Sequence, residues 1–158
     1  MPLYFAYGSN MNRDAMQRRC PNSRPLGRAR LARHKLFIMA PGYASVKCDP
    51  RADVQGVLYE LALSDVPGLD RYEDVGRGLY AKVTQPVLRE AGSPVRALVY
   101  VGNSKSEGRP APAYLHGIIA AAKDWGFPEA YISYLASLGD GTAEPDQSKR
   151  RAIQLKGI

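Results

Sequence analysis

Cysteine and histidine are both scarce in this chain. Cys20, Cys48, His34 and His116 are the full complement in 158 residues. The cysteines lie far apart and in no ligand-like spacing, so a disulfide framework is not expected and free thiols suit a reducing compartment. Too few histidines and cysteines cluster to build a zinc centre, so no metal is expected. Neither thiol has a basic motif beside it that would mark a nucleophile, and both read as buried cysteines. No apolar run approaches the ~20 residues that span a bilayer. The opening MPLYFAYGSN lacks the basic start, long apolar stretch and small-residue cleavage site of a secretory leader. No membrane partner is expected, and the expected location is cytoplasmic. The sequence also lacks a G-x-S-x-G elbow and a phosphate-binding glycine fingerprint, which argues against a serine triad built on Ser9 and against nucleotide chemistry.

What is present is the composition of one ordinary globular domain. The chain has 45% hydrophobic and 23% charged residues in 17.3 kDa. The formal net charge is +7. The first 35 residues hold Arg13, Arg18, Arg19, Arg24, Arg28, Arg30, Arg33 and Lys35 against Asp14 alone. Such a patch attracts anions, whether a nucleic acid or a small molecule. The arginines are not interleaved with aromatics as in RNA-binding sheets, so a solvated basic face is the expected reading and nucleic acid is not the expected partner.

Along the chain, residues 3–7 read as a buried strand broken at Gly8-Ser9-Asn10. Asn12 or Ser9 then caps a helix running to about Cys20, closed by Pro21. Residues 27–33 and 35–40 read as two strands, with a turn at Pro41-Gly42. Two more follow at 44–48 and 54–61, separated at Asp49-Pro50, and Gly56 marks a bulge or a close backbone approach. Ser64-Asp65 resembles a cap for a helix through Glu73, with Pro67 harmless in its first turn. Residues 79–89 and 95–101 are strands, residues 102–112 a polar loop, and two helices close the chain at about 112–126 and 128–138. This order is not regular βαβ alternation. It predicts an α+β domain over residues 1–139 with a curled, barrel-like mixed sheet flanked by helices, and a mobile tail over 140–158.

The strand–glycine–helix unit at the N-terminus is the first chemical candidate. A glycine after a buried strand permits a sharp turn, and the amides of Gly8, Ser9, Asn10 and Met11 are then placed to face a carboxylate or an oxyanion. The segment Tyr4-Phe5-Ala6-Tyr7-Gly8-Ser9-Asn10-Met11 resembles the N-terminal signature of the γ-glutamylcyclotransferase family. Later segments match the same family in order: Pro41-Gly42-Tyr43-Ala44-Ser45-Val46, Val54-Gln55-Gly56-Val57-Leu58-Tyr59, Leu69-Asp70-Arg71-Tyr72-Glu73 with Gly78-Leu79-Tyr80, and Pro112-Ala113-Tyr114-Leu115. The resemblance spans roughly residues 3–138, and the ordered set is more specific than any piece.

That resemblance implies conversion of a γ-glutamyl amino acid, peptide or amine to 5-oxoproline and a free amine, by attack of the substrate's α-amine on its own γ-carbonyl. A neighbouring branch, acting on γ-glutamyl groups carried by ε-lysine or by a carrier-bound intermediate, stays open, although Tyr-Gly-Ser-Asn is closer to the amino-acid branch. The nucleophile belongs to the substrate, so no cofactor is implied. One carboxylate serves as both base and acid if burial raises its pKa. The L-D-x-x-E spacing assigns that role to Glu73, with Leu69, Tyr72 and Leu79 close in sequence. The resemblance places Tyr7, Tyr80, Tyr100 and Tyr114 around the substrate with Gly8, Ser9, Asn10 and Met11. Asp74 stands where the family usually has glycine, which opens the question of which acid acts. The competing reading is a non-catalytic protein of the same fold that binds polyanions through its basic N-terminal third. The oligomeric state is not legible.

Overall fold

A computed structural model describes residues 1–140; the expected tail, apart from Asp140, lies outside the described residues. The first strand, β1 (Leu3–Ala6), is short because Gly8 and the following turn end it. It pairs antiparallel with β3 (Ala44–Glu60), Tyr4 opposite Tyr59 and Ala6 opposite Val57, and parallel with β5 (Val95–Gly102), Tyr4 opposite Leu98. With β2 (Arg24–Ile38) and β4 (Tyr80–Arg89) the strands close into a barrel in the order β1-β3-β2-β4-β5. The expected α+β domain with a curled mixed sheet is therefore the fold.

Two expected breaks are absent. The two stretches expected at 27–33 and 35–40 merge into one strand that ends at Ile38, and those at 44–48 and 54–61 merge into one that ends at Glu60. Both interruptions sit at one irregularity in the β2–β3 hairpin, between the pairs Ala32–Asp53 and His34–Cys48. Arg33 adopts a left-handed φ of 58° there, and residues 49–52 bulge opposite it. Pro50 has no N–H to give to a ladder, and a bulge needs none from it. Asp49 accepts the Arg51 N–H at 3.0 Å and closes the bulge locally. At the other end of the hairpin Gly42 takes φ 97°. The tight turn at Pro41-Gly42 requires that conformation, and glycine adopts it without steric cost.

The helices pack where the sequence places them. Asn12 is the cap of α1 (Arg13–Arg19), its Oδ1 accepting the Ala15 N–H at 2.9 Å, while Ser9 opens a preceding 3-10 turn, Ser9–Met11. An asparagine there satisfies one of the helix's orphan donors. α2 (Val66–Tyr72) has Pro67 in its first turn, as expected, but Asp65 does not cap it. The Asp65 carboxylate instead reaches back to the Asn22 N–H at 2.9 Å and the Ser23 hydroxyl at 2.7 Å. That cross-link ties α2 to the turn after α1, which matters for the residue at its C-terminal end. α3 (Pro112–Asp124) buries Leu115, Ile118 and Ala122, and α4 (Glu129–Ser137) packs beside it. No helix among the described residues is long and apolar enough to cross a membrane.

Candidate active site

β1 runs out of the barrel at Tyr7 and delivers Gly8 into the 3-10 turn. The turn's bonds run from the Met11 N–H to the Gly8 carbonyl at 3.1 Å and from the Asn12 N–H to the Ser9 carbonyl at 3.3 Å. The N–H groups of Ser9 and Asn10 stand at the open start of the turn, where a helix has donors and no carbonyl of its own to receive them. Asn10 is buried and held on several sides. Its Nδ2 donates to the Tyr4 hydroxyl at 3.1 Å, Arg19 donates to its Oδ1 at 2.5 Å, and the Tyr59 hydroxyl donates to its carbonyl at 3.0 Å. The Trp125 Nε1–H caps the Met11 carbonyl at 2.8 Å and docks the end of α3 on the loop. A loop tied down this way holds its shape through its own bonds.

This loop forms one wall of a cleft holding about 420 Å³ of empty space, mouth included. Gly8, Ser9, Asn10, Tyr7, Glu73, Tyr80, Tyr100 and Tyr114, all named from sequence, line it together. Met11 does not. It is fully buried in the core, and its N–H is spent on the turn, so its expected part as a substrate donor is withdrawn. Tyr4, Tyr43, Ala44 and Tyr72 line the cleft as well. All four fall inside the segments matched above, but none is singled out there; the folding of Asn10 against Tyr4 brings that hydroxyl to the site.

Glu73 follows α2 directly. Its N–H bonds the Leu69 carbonyl at 3.0 Å, and its backbone lies at φ −83°, ψ 1°. That is the sparsely populated bridge region in which active-site residues recur. Among the described residues it is the one carboxylate on the cleft wall. Asp74, the next residue, is not part of that wall. Asp70, one turn earlier, accepts the Tyr100 hydroxyl at 2.5 Å and is held from the other side by Lys82 at 2.9 Å. Arg19 lies 3.7 Å above the Tyr72 ring, whose hydroxyl meets the Ser9 hydroxyl at 2.7 Å.

The electrostatics agree with this placement. Burial is the main force raising the phenols of Tyr4, Tyr7, Tyr80, Tyr100 and Tyr114 above their ordinary range, and the Glu73 carboxylate adds to it in each of the five. Burial, aided by Tyr72 and Asp74, pushes Tyr43 up to about 12. All of these phenols stay protonated at neutral pH, so they are available as hydrogen-bonding groups.

The other titratable candidates resolve differently. Cys20 is buried as expected, with its thiol pushed up to about 11, chiefly by burial. Cys48 is exposed, contrary to expectation, because it sits at the hairpin bulge. No group of three or more His, Cys, Asp or Glu among the described residues is arranged to hold a metal ion. The basic N-terminal residues are largely engaged: Arg24 with Glu60, Arg28 with Glu90, Arg30 with Asp53, Lys35 with Glu107, and Arg13 over the Trp125 ring.

The sequence pattern of the AIG2-like family matches residues 53–135. The chain is 30% identical over 162 residues to the γ-glutamylcyclotransferase of Bos taurus, covering 96% of this chain and 84% of that protein. It is 28% identical over 157 residues to the γ-glutamylcyclotransferase of Mus musculus, covering 93% of this chain and 81% of that one. A solved structure described as a γ-glutamyl cyclotransferase superposes with a TM-score of 0.81 at 26% identity, covering 98% of each chain.

Proposed function

The chain belongs to the γ-glutamylcyclotransferase (AIG2-like) family, and from that premise we propose that the cleft folds a γ-glutamyl group onto its own α-amine, with Glu73 carrying the protons. It is an enzyme of the cyclotransferase type. One observation carries the assignment: among the described residues, a single carboxylate stands on a wall made chiefly of loop residues and protonated phenols.

The chemistry follows from those groups. A γ-glutamyl compound arrives with its α-nitrogen as an ammonium, which is not a nucleophile. Glu73 takes one proton, and the freed amine attacks the γ-carbonyl carbon. The C–O double bond opens to an oxyanion, and the Ser9 and Asn10 amides are the donors for it, each well-aimed donor contributing about 3 kcal/mol. Protonated Glu73 then hands its proton to the departing nitrogen. The old amide bond breaks, a lactam C–N bond remains, and 5-oxoproline and the amine leave. Two protons pass in all from the α-nitrogen to the leaving nitrogen, so no water or cofactor is consumed. Holding amine and carbonyl together in the cleft contributes on the order of several kcal/mol more.

The protein is to be mixed with a panel of γ-glutamyl amino acids, peptides and amines, with 5-oxoproline followed by mass. Wild type is expected to release it from at least one of them. Glu73→Gln preserves size and shape but accepts no proton, so turnover is expected to fall by ~10²–10⁴ with the fold intact. Asp74→Asn is expected to retain most activity. A Glu73→Gln enzyme that turns over normally, or a dead Asp74→Asn beside a live Glu73→Gln, overturns the assignment.

A further inference from the structure

The phenols around Glu73 are not equivalent, and their existing bonds sort them. A phenol has one proton to donate and accepts through its oxygen. Tyr7 gives its proton to the carbonyl of Tyr100, Tyr80 to the carbonyl of Ala44 at 2.6 Å, and Tyr100 to Oδ1 of Asp70 at 2.5 Å. Tyr114 is wired the opposite way. Its oxygen accepts the Ala44 N–H at 3.0 Å, so that bond leaves the hydroxyl proton unspent. One residue, Ala44, thus sets two neighbouring tyrosines to opposite polarity, using its carbonyl for Tyr80 and its N–H for Tyr114.

Position adds to polarity. A methyl group built on Gly8 would lie 3.7 Å from the Tyr114 oxygen, so this hydroxyl stands directly against the loop that offers the Ser9 and Asn10 amides. The ring cannot drift, because Tyr43 packs edge-on against it with ring centroids 5.7 Å apart.

We propose that Tyr114 is a catalytic hydrogen-bond donor whose O–H stabilises the oxyanion formed on the γ-carbonyl, beside the Ser9 and Asn10 amides. The oxygens of Tyr7 and Tyr100, their protons already committed, receive the α-ammonium on the Glu73 side. The substrate is thereby oriented, carbonyl oxygen toward Gly8 and Tyr114, ammonium toward Glu73. This rests on the cyclotransferase reading above and assigns a direction to it. Burial holds the Tyr114 phenol protonated, against a smaller opposing effect of the Ala44 N–H, so the donor persists across the working pH range.

Wild type, Tyr114→Phe, Tyr131→Phe and Glu73→Gln are to be compared on one accepted γ-glutamyl substrate. Tyr114→Phe keeps the ring and its packing and removes the donor. Its kcat is expected to fall about 10²-fold, the usual loss for one oxyanion donor, with KM within about threefold of wild type. Tyr131→Phe removes another hydroxyl, one that bonds the Gln55 carbonyl outside the cleft, and is expected to keep kcat. A Tyr114→Phe enzyme with wild-type kcat, or with a loss confined to KM, overturns the donor role. If Tyr114→Phe does not fold, replacing Tyr114 with 3-fluorotyrosine keeps ring and hydroxyl. A donor role then requires kcat to change with the acidity of the phenol, and an unchanged kcat rejects it. The two failures are distinct. Normal turnover by Glu73→Gln sinks the acid/base assignment, whereas a dead Glu73→Gln beside a fully active Tyr114→Phe sinks only this proposal.

Discussion

Asp74 illustrates how a single residue is decided by its backbone. It sits at φ 52°, ψ 41°. This is the left-handed region, where a Cβ is costly and glycine is the default. Aspartate is among the few residues that tolerate this conformation, so its presence here answers a backbone demand. Its carbonyl receives the N–H groups of Arg77 and Leu79, each at 3.1 Å, which folds the chain from α2 toward β4. Cys20 makes a second residue-level case. Its folded-state thiol is raised from 9.0 to about 11, by burial first and Asp65 second. A raised pKa means that the folded state holds the proton more tightly than the unfolded one. The resulting stability is complete below pH 9 and is lost as pH rises through about 11. That interval corresponds to roughly 2–3 kcal/mol, which screening by solvent trims to about 2 kcal/mol. Unfolding free energies of wild type and Cys20→Ala, from urea titrations, are therefore expected to converge by about that amount between those limits; a constant difference would show that the thiol does not titrate with unfolding.

At the scale of elements, the site depends on how closely β1 and β3 approach. Gly56 on β3 lies opposite the end of β1, and a Cβ built on it would come within 2.5 Å of both the Ala6 carbonyl and the Phe5 ring. Neither can yield cheaply, since one is backbone and the other a fully buried aromatic. Gly56→Ala is expected to destabilise the fold by about 3 kcal/mol or more, the upper range for overpacking, read as a drop in the urea midpoint. A loss under about 0.5 kcal/mol would mean that the strands separate freely, well below the usual cost of overpacking. Because Tyr7 follows directly on β1, the same strain is carried to the mouth of the cleft. α2 shows the complementary device: Asp65, which does not cap its own helix, anchors it to Asn22 and Ser23 and so fixes where Glu73 emerges.

For the whole molecule, the informative quantity is the distribution of charge. The formal charge of +7 and the cluster of arginines in the first third describe a polyanion-binding surface only if those side chains face solvent together. Folding pairs most of them. Arg24, Arg28, Arg30 and Lys35 meet carboxylates from β3, from the turn after β4 and from the loop after β5, while Arg13 and Arg19 stack on Trp125 and Tyr72. Exposed pairs of this kind add only ~0–1 kcal/mol each to stability, but they cancel the local field. Binding to duplex DNA or RNA is thus expected to be weak at physiological salt, with a shallow dependence on salt concentration. A dissociation constant near or below about 1 μM with a steep salt slope would revive the polyanion-binding alternative.

Much of this was legible in the residues themselves, for a physical reason: strands, turns and caps are set by near neighbours. The buried run of β1, the turn at Pro41-Gly42, the Asn12 cap and the two closing helices all follow from local rules. The resemblance carried by the ordered motifs added the loop, Glu73 and the tyrosines. Tertiary structure decided what local rules do not reach. It joined the interrupted strands through a bulge, because Pro50 costs nothing where no ladder bond is needed. It withdrew Met11 from the site, because one amide cannot serve a turn and a substrate at once. It added Tyr4, Tyr43, Ala44 and Tyr72 to the cleft, and it paired most of the basic cluster with distant carboxylates and aromatic rings. Above all it set the polarity of the phenols. Whether a tyrosine donates or accepts depends on the partner that folding brings to its hydroxyl, and for Tyr80 and Tyr114 that partner is Ala44, many residues away in sequence and adjacent only in the closed barrel.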